Sequence, residues 1–392
     1  MGEIISNCNI NRPRKLVSLF AGIGGFELAF QSIDVTTILM CEIDPIAQRI
    51  LKKRIPGVEL ISDICDLERL PQETDILCAG FPCQDISTIG EKQGLSGTRS
   101  SLIKEVFRLL GETQVEWVVI ENVTNMLHLH NGETIRTIVR GLEKLGYNWA
   151  YRTIDSIAFV PQHRSRVYVV ASRNNDPRDV LLSGESKNTF GKVNELAFER
   201  PLGFYWTEGK NALGLVEDAI PTLKAGSTIG IPSPPAIIFP DGNISTPHIR
   251  DAEKLQGFPE DWTKPAESIS KPSSRWKLVG NAVTVDTVSW IANKIITPEK
   301  YDSSKDKLLS SDFRWPKAAW GYKGKTYMSS ASLYPVSNVR TPLTVFLKHP
   351  GKPLSLRAAK GFEKRLLEGR LHSPTYFINA IRNYINKIED KL

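Results

Sequence analysis

The stretch that decides the fold is LVSLFAGIGG, residues 16–25, in which an apolar run leads directly into three closely spaced glycines. Residues with β-strand character are followed by Gly22, Gly24 and Gly25, and a helical pattern begins after them. Glycines allow the backbone to turn sharply and let a ligand approach it closely. The stretch therefore predicts a strand–turn–helix unit that either holds a nucleoside cofactor or is a tight turn without a ligand.

Two acidic residues further along the chain favour the cofactor. Glu42 follows Gly22 by 20 residues, at the end of the next predicted strand, where a carboxylate can accept hydrogen bonds from ribose hydroxyls. Asp63 follows the next predicted helix and could bind an adenine amino group. Asp44 and Pro45 supply an N-cap and a first-turn proline for that helix.

The first 172 residues alternate strand-like and helical patterns, which is typical of a doubly wound parallel α/β sheet. The predicted strands are residues 16–20, 36–42, 75–79, 117–121, 153–159 and 166–172. After residue 172 the chain becomes rich in Gly, Pro, Asn and Ser up to residue 249, which predicts a small loop-rich second domain or a large insertion. Helical periodicity returns before residue 300, and residues 301–392 form a further module.

The formal net charge of +7 is unevenly distributed over the 392 residues. Residues 301–392 contain 17 Lys and Arg against 7 Asp and Glu, interleaved with Trp and Tyr, whereas the first 300 residues are close to neutral. In a nucleic-acid complex, cationic side chains bind phosphate groups and aromatic rings contact sugars or bases. The pattern fits a nucleic-acid partner, and it also fits a solvated basic surface.

Several classes of protein are disfavoured by the sequence. No run of about 18 apolar residues occurs, and residues 1–20 lack the apolar stretch of a signal peptide, so we expect a cytoplasmic protein. The five cysteines form no C-x-x-C pair and the six histidines no ligand-spaced cluster, which predicts neither a metal site nor a disulfide framework. We expect Cys41, Cys65 and Cys78 to be inert, small apolar side chains.

Polar side chains follow or precede three of the predicted strands. Cys83 lies in GFPCQ after the third strand, where a thiolate can act as a nucleophile, although a lone cysteine is more often inert. Glu121 opens ENV at the end of the fourth strand, and Arg164 and Arg166 lie in QHRSR before the sixth. A carboxyl group and an arginine in one pocket can read the edge of a planar base. Taken singly, Glu121 could be a strand-end cap, and Arg164 and Arg166 could belong to a basic surface turn.

The blocks FAGIGG, GFPCQ, ENV, QHRSR, LQGFP and GNAV resemble, in order and rough spacing, those of the cytosine-C5 DNA methyltransferases of type II restriction–modification systems. The resemblance covers about residues 15–296. It implies a Rossmann-like catalytic, cofactor-binding domain of residues 1–172 plus about 276–300. Residues 173–275 would form the target-recognition domain with its return connection, and residues 301–392 a basic C-terminal extension. The implied partners are double-stranded DNA and a cognate restriction endonuclease, with a monomeric state.

The resemblance also implies a mechanism. The Cys83 thiolate adds to C6 of cytosine, which makes C5 electron-rich enough to take a methyl group. Glu121 matches the glutamate at N3, Arg166 the arginine that contacts O2 and orients the cysteine, and Arg164 its supporting or phosphate-binding partner. None of these groups can reach a stacked base, so the target nucleotide must flip out of the duplex.

The implied cofactor is S-adenosylmethionine, with S-adenosylhomocysteine as product and no metal. The matching positions are Phe20, Gly22 and Gly24 at the methionine portion, Glu42 at the ribose, Ile43, Asp63 and Ile64 at adenine, Pro82 near the sulfonium, Leu102 in the lining, and Asn281 and Val283 on the other side. Three positions depart from the family pattern. Ser18 occupies a position at which many members of the family have Asp, and Ile43 one at which Trp is frequent. Asp251 occupies the position of a usual Glu, and we expect the ion pair of that Glu to be retained.

Three other functions stay open. The same fold could act on RNA, since a related branch methylates transfer RNA, but the long variable region and the basic extension favour DNA. A non-catalytic DNA-binding regulator is disfavoured by the intact Cys83, Glu121 and Arg166. A nicotinamide dehydrogenase shares the glycine-rich turn alone and gives no role to the Pro-Cys-Gln sequence at Cys83.

Overall fold

The computed structural model describes residues 14–81, 102–186, 190, 199–208, 213–226, 234–310, 313–337, 340–369 and 373–391. Its strands are β1 (Lys15–Leu19), β2 (Thr36–Cys41), β3 (Glu59–Ile61), β4 (Ile76–Ala79), β5 (Trp117–Val123), β6 (Asn148–Asp155), β7 (Gln162–His163), β8 (Ser165–Ser172), β9 (Leu202–Phe204), β10 (Val216–Glu217), β11 (Ile220–Pro221), β12 (Ala236–Ile238), β13 (Ile244–Thr246), β14 (Lys307–Leu308), β15 (Ala318–Tyr322), β16 (Lys325–Met328) and β17 (Lys352–Pro353). Its helices are α1 (Gly25–Gln31), α2 (Pro45–Arg54), α3 (Leu102–Glu112), α4 (Glu133–Lys144), α5 (Pro177–Leu181), α6 (Ile249–Leu255), α7 (Ser274–Asn281), α8 (Val285–Ile296), α9 (Leu343–Phe346), α10 (Leu356–Glu368) and α11 (Thr375–Glu389). Short 3₁₀ helices lie at Ile64–Asp66, Thr124–Leu127, Leu129–Gly132, Ser156–Ala158 and Lys264–Ser268.

Ten strands form a central sheet in the order β14-β16-β15-β6-β8-β5-β4-β1-β2-β3. The strands β3, β2, β1, β4 and β5 run parallel, and β1, β4 and β5 are almost completely buried, as expected for strands covered on both faces. Helices α1 and α8 cover one face, and α3 and α4 cover the other. The strand order reverses between β1 and β4, so a crevice is expected at the carboxyl ends of these strands.

The doubly wound α/β arrangement is confirmed for these five strands, but the sheet as a whole is mixed rather than parallel. β8 pairs antiparallel with both β5 and β6, and β15 and β16 continue the antiparallel part. Only residues 156–164 connect β6 to β8, and a parallel crossover needs a dozen or more residues. The chain therefore returns as an antiparallel strand, which lies between β5 and β6.

Five of the six predicted strands agree with observed strands to within two residues, and the fifth is displaced. Instead of a strand at residues 153–159, β6 ends at Asp155 and a 3₁₀ helix follows. The Asp155 carboxylate accepts a hydrogen bond from the backbone N–H of Ile157 at 3.0 Å and starts this helix. The predicted cap of α2 is confirmed, because Asp44 accepts from the N–H of Ile46 at 2.8 Å and Pro45 is the first helical residue.

A second sheet of five short strands, in the order β10-β9-β12-β13-β17, lies mostly within the region predicted to be loop-rich. One face packs against α10 and α11, where Phe204 of β9 contacts Phe362 and Phe377. The other face packs against α6, α7 and α9 through a smaller apolar cluster that includes Ile220 and Ile237. This sheet therefore has a hydrophobic core on each side.

Residues 301–392 contribute to both sheets. β15 pairs with β6 in the central sheet, and β17 pairs with β13 at the edge of the second. Asp251 of α6 is completely buried and accepts hydrogen bonds from the backbone N–H groups of Lys348 at 2.9 Å and His349 at 3.1 Å, so it does not form the expected ion pair. Its neighbour Arg250 pairs with Asp261 at 2.8 Å instead. The division into three functional regions stays a prediction.

Candidate active site

Two glycines of the turn after β1 have a positive φ but differ in the space around them. Gly22 has a φ of 57°, and a side chain added there would meet nothing within 4 Å. Gly24 has a φ of 90°, and an added Cβ would lie 2.9 Å from Cδ1 of Ile55, at the end of α2. Because a positive φ strains any L side chain, both positions favour glycine, but the open space lies at Gly22. The turn thus leaves its backbone at Gly22 accessible to a ligand.

Glu42, directly after β2, is held by the backbone on both of its carboxylate oxygens. Its Oε2 accepts a hydrogen bond from the N–H of Gly22 at 2.7 Å, and its Oε1 accepts one from the N–H of Asp44 at 2.8 Å. Burial raises the pKa of Glu42, and the amides of Asp44 and Gly22 act in the opposite direction. The carboxylate ties the glycine turn to the end of β2, and each oxygen keeps a lone pair for a further donor.

A cavity of about 440 Å³ opens at the carboxyl ends of β1, β2, β4 and β5. It brings together many residues predicted from sequence, namely Phe20, Gly22, Glu42, Ile43, Glu121, Arg164, Arg166 and Asn281. Val283 lines a small cavity of about 40 Å³ that shares Phe20, Gly22 and Asn281 with the larger one. The lining also includes residues that the sequence did not single out as ligands, among them Asp44, Asn122 and Leu278.

Four further predicted cofactor positions that the structure describes line neither of these two cavities. Asp63 accepts a hydrogen bond from the N–H of Cys65 at 2.9 Å and starts a 3₁₀ helix, in which Ile64 is buried. Leu102 begins α3 and packs partly buried against the apolar core. Gly24 belongs to the turn but is packed against α2. Their roles toward a cofactor stay predictions.

Glu121 at the end of β5 and Arg166 at the start of β8 form a polar pair in the larger cavity. Nε of Arg166 lies 3.2 Å from Oε1 of Glu121, and both side chains are largely buried. Arg166 pairs in register with Val123, two residues from Glu121 on the same face, so the contact is a diagonal cross-strand pair. A carboxyl group and a guanidinium held in this way can hydrogen-bond neighbouring edges of one planar base.

Arg164 is buried and links separate parts of the chain. Its Nη1 donates to the carbonyl oxygens of Leu223 at 3.0 Å and Gly280 at 3.2 Å, and its Nη2 donates to that of Ala282 at 2.7 Å. Burial, with the nearby charge of Arg166, lowers the pKa of Arg164 to about 9, so the side chain is still cationic at pH 7. Because both Nη groups are directed at carbonyls, the geometry fits a supporting role and not a phosphate contact.

A buried amide network, which the sequence analysis missed, joins three of the sequence blocks. Nε2 of Gln162 donates to Oε1 of Gln256 at 2.9 Å and to the carbonyl of Leu255 at 2.7 Å. Gln256 in turn donates from Nε2 to the carbonyls of Val279 at 2.9 Å and Ala282 at 3.0 Å, and its Oε1 accepts from Oγ1 of Thr284 at 3.0 Å. QHRSR, LQGFP and GNAV are therefore held together, which brings the return segment back to the first sheet.

Pro82 and Cys83 lie outside the described residues, which resume at Leu102 after Phe81. Asn122, which is buried, donates from Nδ2 to the carbonyl of Phe81 at 3.0 Å. Its Oδ1 accepts from the N–H of Val123 at 2.9 Å. Asn122 thereby fixes the chain at Phe81 to the end of β5. From the sequence, nothing beyond its place at a strand end pointed to this role.

The described cysteines differ in their accessibility. Cys41 and Cys78 are buried, as expected of small apolar side chains, but Cys65 is exposed, so it does not pack as an apolar side chain. Burial raises the pKa of Cys41 to about 12 and that of Cys78 well above its usual range. Neither buried thiol can supply a thiolate near neutral pH.

Within the described residues, no group of three or more His, Cys, Asp and Glu side chains is placed to hold a metal ion. None of the helices in the described part of the chain is long and apolar enough to cross a membrane.

Residues 14–222 match the family described as C-5 cytosine-specific DNA methylase. The chain is 42% identical to the Type II methyltransferase M2.BsuMI of Bacillus subtilis (strain 168), over 89% of this chain and 92% of that protein. It is 29% identical to the Type II methyltransferase M.MspI of Moraxella sp, over 72% of this chain and 70% of that protein. The 89% overlap exceeds the share of the chain before residue 301, so the similarity to M2.BsuMI includes part of the C-terminal extension.

Two solved structures are similar in fold. The Dnmt2 methyltransferase of S. pombe has a TM-score of 0.55 at 19% identity, covering 72% of this chain and 98% of that one. A mutant form of DNMT2 from Spodoptera frugiperda has a TM-score of 0.53 at 15% identity, covering 72% of this chain and 99% of that one. At these identities the likeness concerns the fold alone, and it confirms the predicted Rossmann-like methyltransferase architecture.

Proposed function

The chain belongs to the C-5 cytosine-specific DNA methylase family, and we propose that its cavity holds S-adenosylmethionine beside a flipped-out cytosine of duplex DNA. Its enzyme class is DNA (cytosine-5-)-methyltransferase, and membership of a methylase family implies S-adenosylmethionine as methyl donor. One observation carries the proposal: the same cavity is lined by the glycine turn with Glu42 and by the pair of Glu121 and Arg166.

The wider setting is proposed from the relatives. Because they are named type II methyltransferases, we propose that this chain modifies a specific DNA sequence and protects it from a cognate restriction endonuclease. We propose that residues 173–275 read that sequence, that the enzyme is a monomer in the bacterial cytosol, and that its reaction needs no metal.

The residues present fit S-adenosylmethionine. The open space at Gly22 lets a ligand lie against the turn, and the anchored oxygens of Glu42 keep lone pairs for ribose hydroxyls. Ile43 is 70% exposed and offers an aliphatic surface to adenine in place of an aromatic ring. When bound, the cofactor supplies a methyl group on a positively charged sulfur. The other proposed contacts are Phe20, Gly24, Asp63, Ile64, Pro82, Leu102, Asn281 and Val283.

Replacement of the ribose-binding carboxylate tests the cofactor site. We expect Glu42→Gln to raise the Kd for S-adenosylmethionine about 10- to 100-fold, because a hydrogen bond to a charged group contributes about 1.5–3 kcal/mol. Isothermal titration calorimetry measures this Kd. The control is Glu59→Gln, which changes an exposed carboxylate on the neighbouring strand β3 and should leave the Kd unchanged. Equal Kd values for the two variants would contradict the assignment.

We propose that Cys83 and Glu121 carry out the cytosine chemistry. The Cys83 thiolate forms a bond to C6, and the electron pair of the C5–C6 double bond shifts toward N3, which takes a proton from Glu121. C5 then takes the methyl group, and S-adenosylhomocysteine is left. A base removes the C5 proton, the C5–C6 double bond forms again, and Cys83 departs with the electron pair of its bond to C6. N3 returns its proton to Glu121.

Two further residues support this chemistry without touching the reacting carbon. Arg166, held against Glu121, is placed to hydrogen-bond O2 of the same ring, which keeps the base oriented while it reacts. Arg164 secures the segment behind the cavity through three carbonyl oxygens. The target nucleotide must leave the helix to reach these groups, at a cost of about a few kcal/mol.

A direct test incubates the purified chain with genomic duplex DNA and S-adenosylmethionine labelled in its methyl group. We expect label on cytosine C5, and bisulfite sequencing then maps the recognition sequence. Glu121→Gln keeps the shape of the side chain but cannot give up a carboxylic proton, so methylation should fall by about 10²- to 10⁴-fold. Label on the exocyclic N4 of cytosine, or on transfer RNA but not on duplex DNA, would contradict the proposal.

A further inference from the structure

Two segments outside the proposed reaction meet at the same edge of the central sheet as the active site. Residues 124–132 leave β5 at its carboxyl end, directly after the ENV block. β6 is parallel to β5, because both run antiparallel to β8, and β15 runs antiparallel to β6. The residues just before β15, 313–317, therefore lie at that edge as well.

Between these segments lies a cavity of about 570 Å³, here called the edge pocket, lined by His128, Asn131, Arg136, Phe313, Arg314 and Trp315. The guanidinium of Arg136 lies 5.8 Å from the ring centre of Phe313 and 5.7 Å from that of Trp315. His128, Asn131 and Arg314 are exposed. Arg136 also pairs at 3.3 Å with Glu133, whose half-exposed side chain can be displaced by a stronger anion.

The aromatic part of the edge pocket is fixed by the protein core. Trp315 is 5% exposed and packs against Trp149 and Tyr151 of β6, with ring centres 6.3 and 5.9 Å away. A Cβ added to Gly132 would come within 2.2 Å of Cδ1 of Trp315, so this contact requires glycine at the start of α4. The Trp315 ring is therefore held in place before any ligand arrives.

The chemistry of the edge pocket matches a nucleotide. Two arginines and a histidine suit a phosphate group, which arginine binds through paired charge-assisted hydrogen bonds. A stacked guanidinium and aromatic rings suit the face of a base or a sugar, and an exposed amide adds hydrogen-bonding capacity. None of the residues that line this pocket is acidic, which disfavours a cationic ligand.

We propose that the edge pocket binds a phosphate of the DNA substrate, with its attached nucleoside, away from the target cytosine. The proposal rests on the proposed function, since it takes DNA as the substrate. β5 and β15 are separated by three strand spacings of about 4.8 Å, or about 14 Å. One phosphate occurs per about 3.4 Å along each DNA strand, so the contact falls about four base pairs from the target.

The test measures the affinity for a short random-sequence duplex by fluorescence anisotropy over a series of salt concentrations, which requires no knowledge of the recognition sequence. The slope of log affinity against log salt is negative, and Arg314→Ala should make it less steep by about 0.9 and weaken binding about fivefold near 0.15 M salt. The double variant with Arg136→Ala should make the slope less steep by about 1.8 and weaken binding about 30-fold. Arg314 is exposed, so the single variant keeps the test decisive if the double variant does not fold.

The matched control is Arg140→Ala, which removes the same charge from an exposed position of α4 outside the edge pocket. It should keep the wild-type slope. A wild-type slope in Arg314→Ala, or the same reduction in all three variants, would overturn the edge pocket as a phosphate site. Methylation of genomic DNA by the wild type is measured in parallel, because its absence would defeat the proposed function, whereas its presence with unchanged slopes would defeat this inference alone.

Discussion

Removal of residues 301–392 should abolish stable folding and not merely weaken DNA binding. This segment supplies much of the apolar cover of the second sheet, through Phe362, Leu366, Phe377, Ile381 and Ile385. Burial of one such side chain stabilises a protein by about 1.5–3 kcal/mol, so the five together contribute roughly 7–15 kcal/mol. That is as large as the whole stability of a typical domain, about 5–15 kcal/mol.

The same truncation would remove hydrogen-bond partners from buried charged groups. The completely buried Arg152 donates from Nε to the carbonyl of Ser332 at 2.8 Å. Asp251 loses the two backbone amides that it accepts from, and Asp218 loses the N–H of Leu343 at 2.8 Å. Each buried group left unsatisfied costs about 1–3 kcal/mol or more, which adds to the apolar loss.

Thermal melting followed by circular dichroism measures the effect of the truncation. The control chain lacks only residues 391–392, beyond the end of α11, and should melt like the full-length protein. If residues 1–300 melt cooperatively and bind DNA with a flatter salt dependence, the extension is an appended DNA-binding arm, and the packing described above does not decide stability.

Replacement of the proposed nucleophile should have the largest effect on catalysis. We expect Cys83→Ala to reduce methyl transfer by roughly 10⁴-fold or more, as the loss of a covalent nucleophile does in other enzymes. Without the bond to C6, C5 of cytosine is too poor in electrons to take the methyl group. Binding of S-adenosylmethionine should persist, so single-turnover transfer from the bound cofactor is the informative measurement.

The control for this variant is Cys65→Ala, which removes an exposed thiol that does not line the cavity. We expect it to transfer methyl groups at the wild-type rate. A Cys83→Ala enzyme that is as active as the Cys65→Ala enzyme would show that methylation proceeds without the proposed adduct.

Those parts of the site that follow directly from strand ends could be predicted from the sequence. Phe20, Glu42 and Glu121 each come after a strand of the parallel part of the sheet or at its end, and the carboxyl ends of parallel strands meet at one edge. Local patterns of apolar residues and glycines were enough to place these strands. Arg166 reached the same cavity because it lies at the start of the strand beside β5.

Features that depend on distant parts of the chain could not be predicted. The position of β8 between β5 and β6 follows from a short connection, and the apolar run that continues past Asp155 concealed the end of β6. The network of Gln162 and Gln256 depends on residues 94 positions apart, which no local pattern reveals. The extension appeared as a separate basic module because charge, unlike the burial of Phe362, is visible in composition.

The proposed mechanism requires that the sulfur of Cys83 bonds to C6 of the target cytosine. Duplex DNA with 5-fluorocytosine at the mapped site tests it most directly, because fluorine at C5 cannot leave as the proton does, so the adduct persists. We predict a stable complex whose mass-mapped crosslink lies at Cys83 and which also forms with Cys65→Ala. Crosslinking at another residue, or full methylation of ordinary DNA by an enzyme that never traps the fluorinated duplex, would contradict a covalent Cys83 adduct.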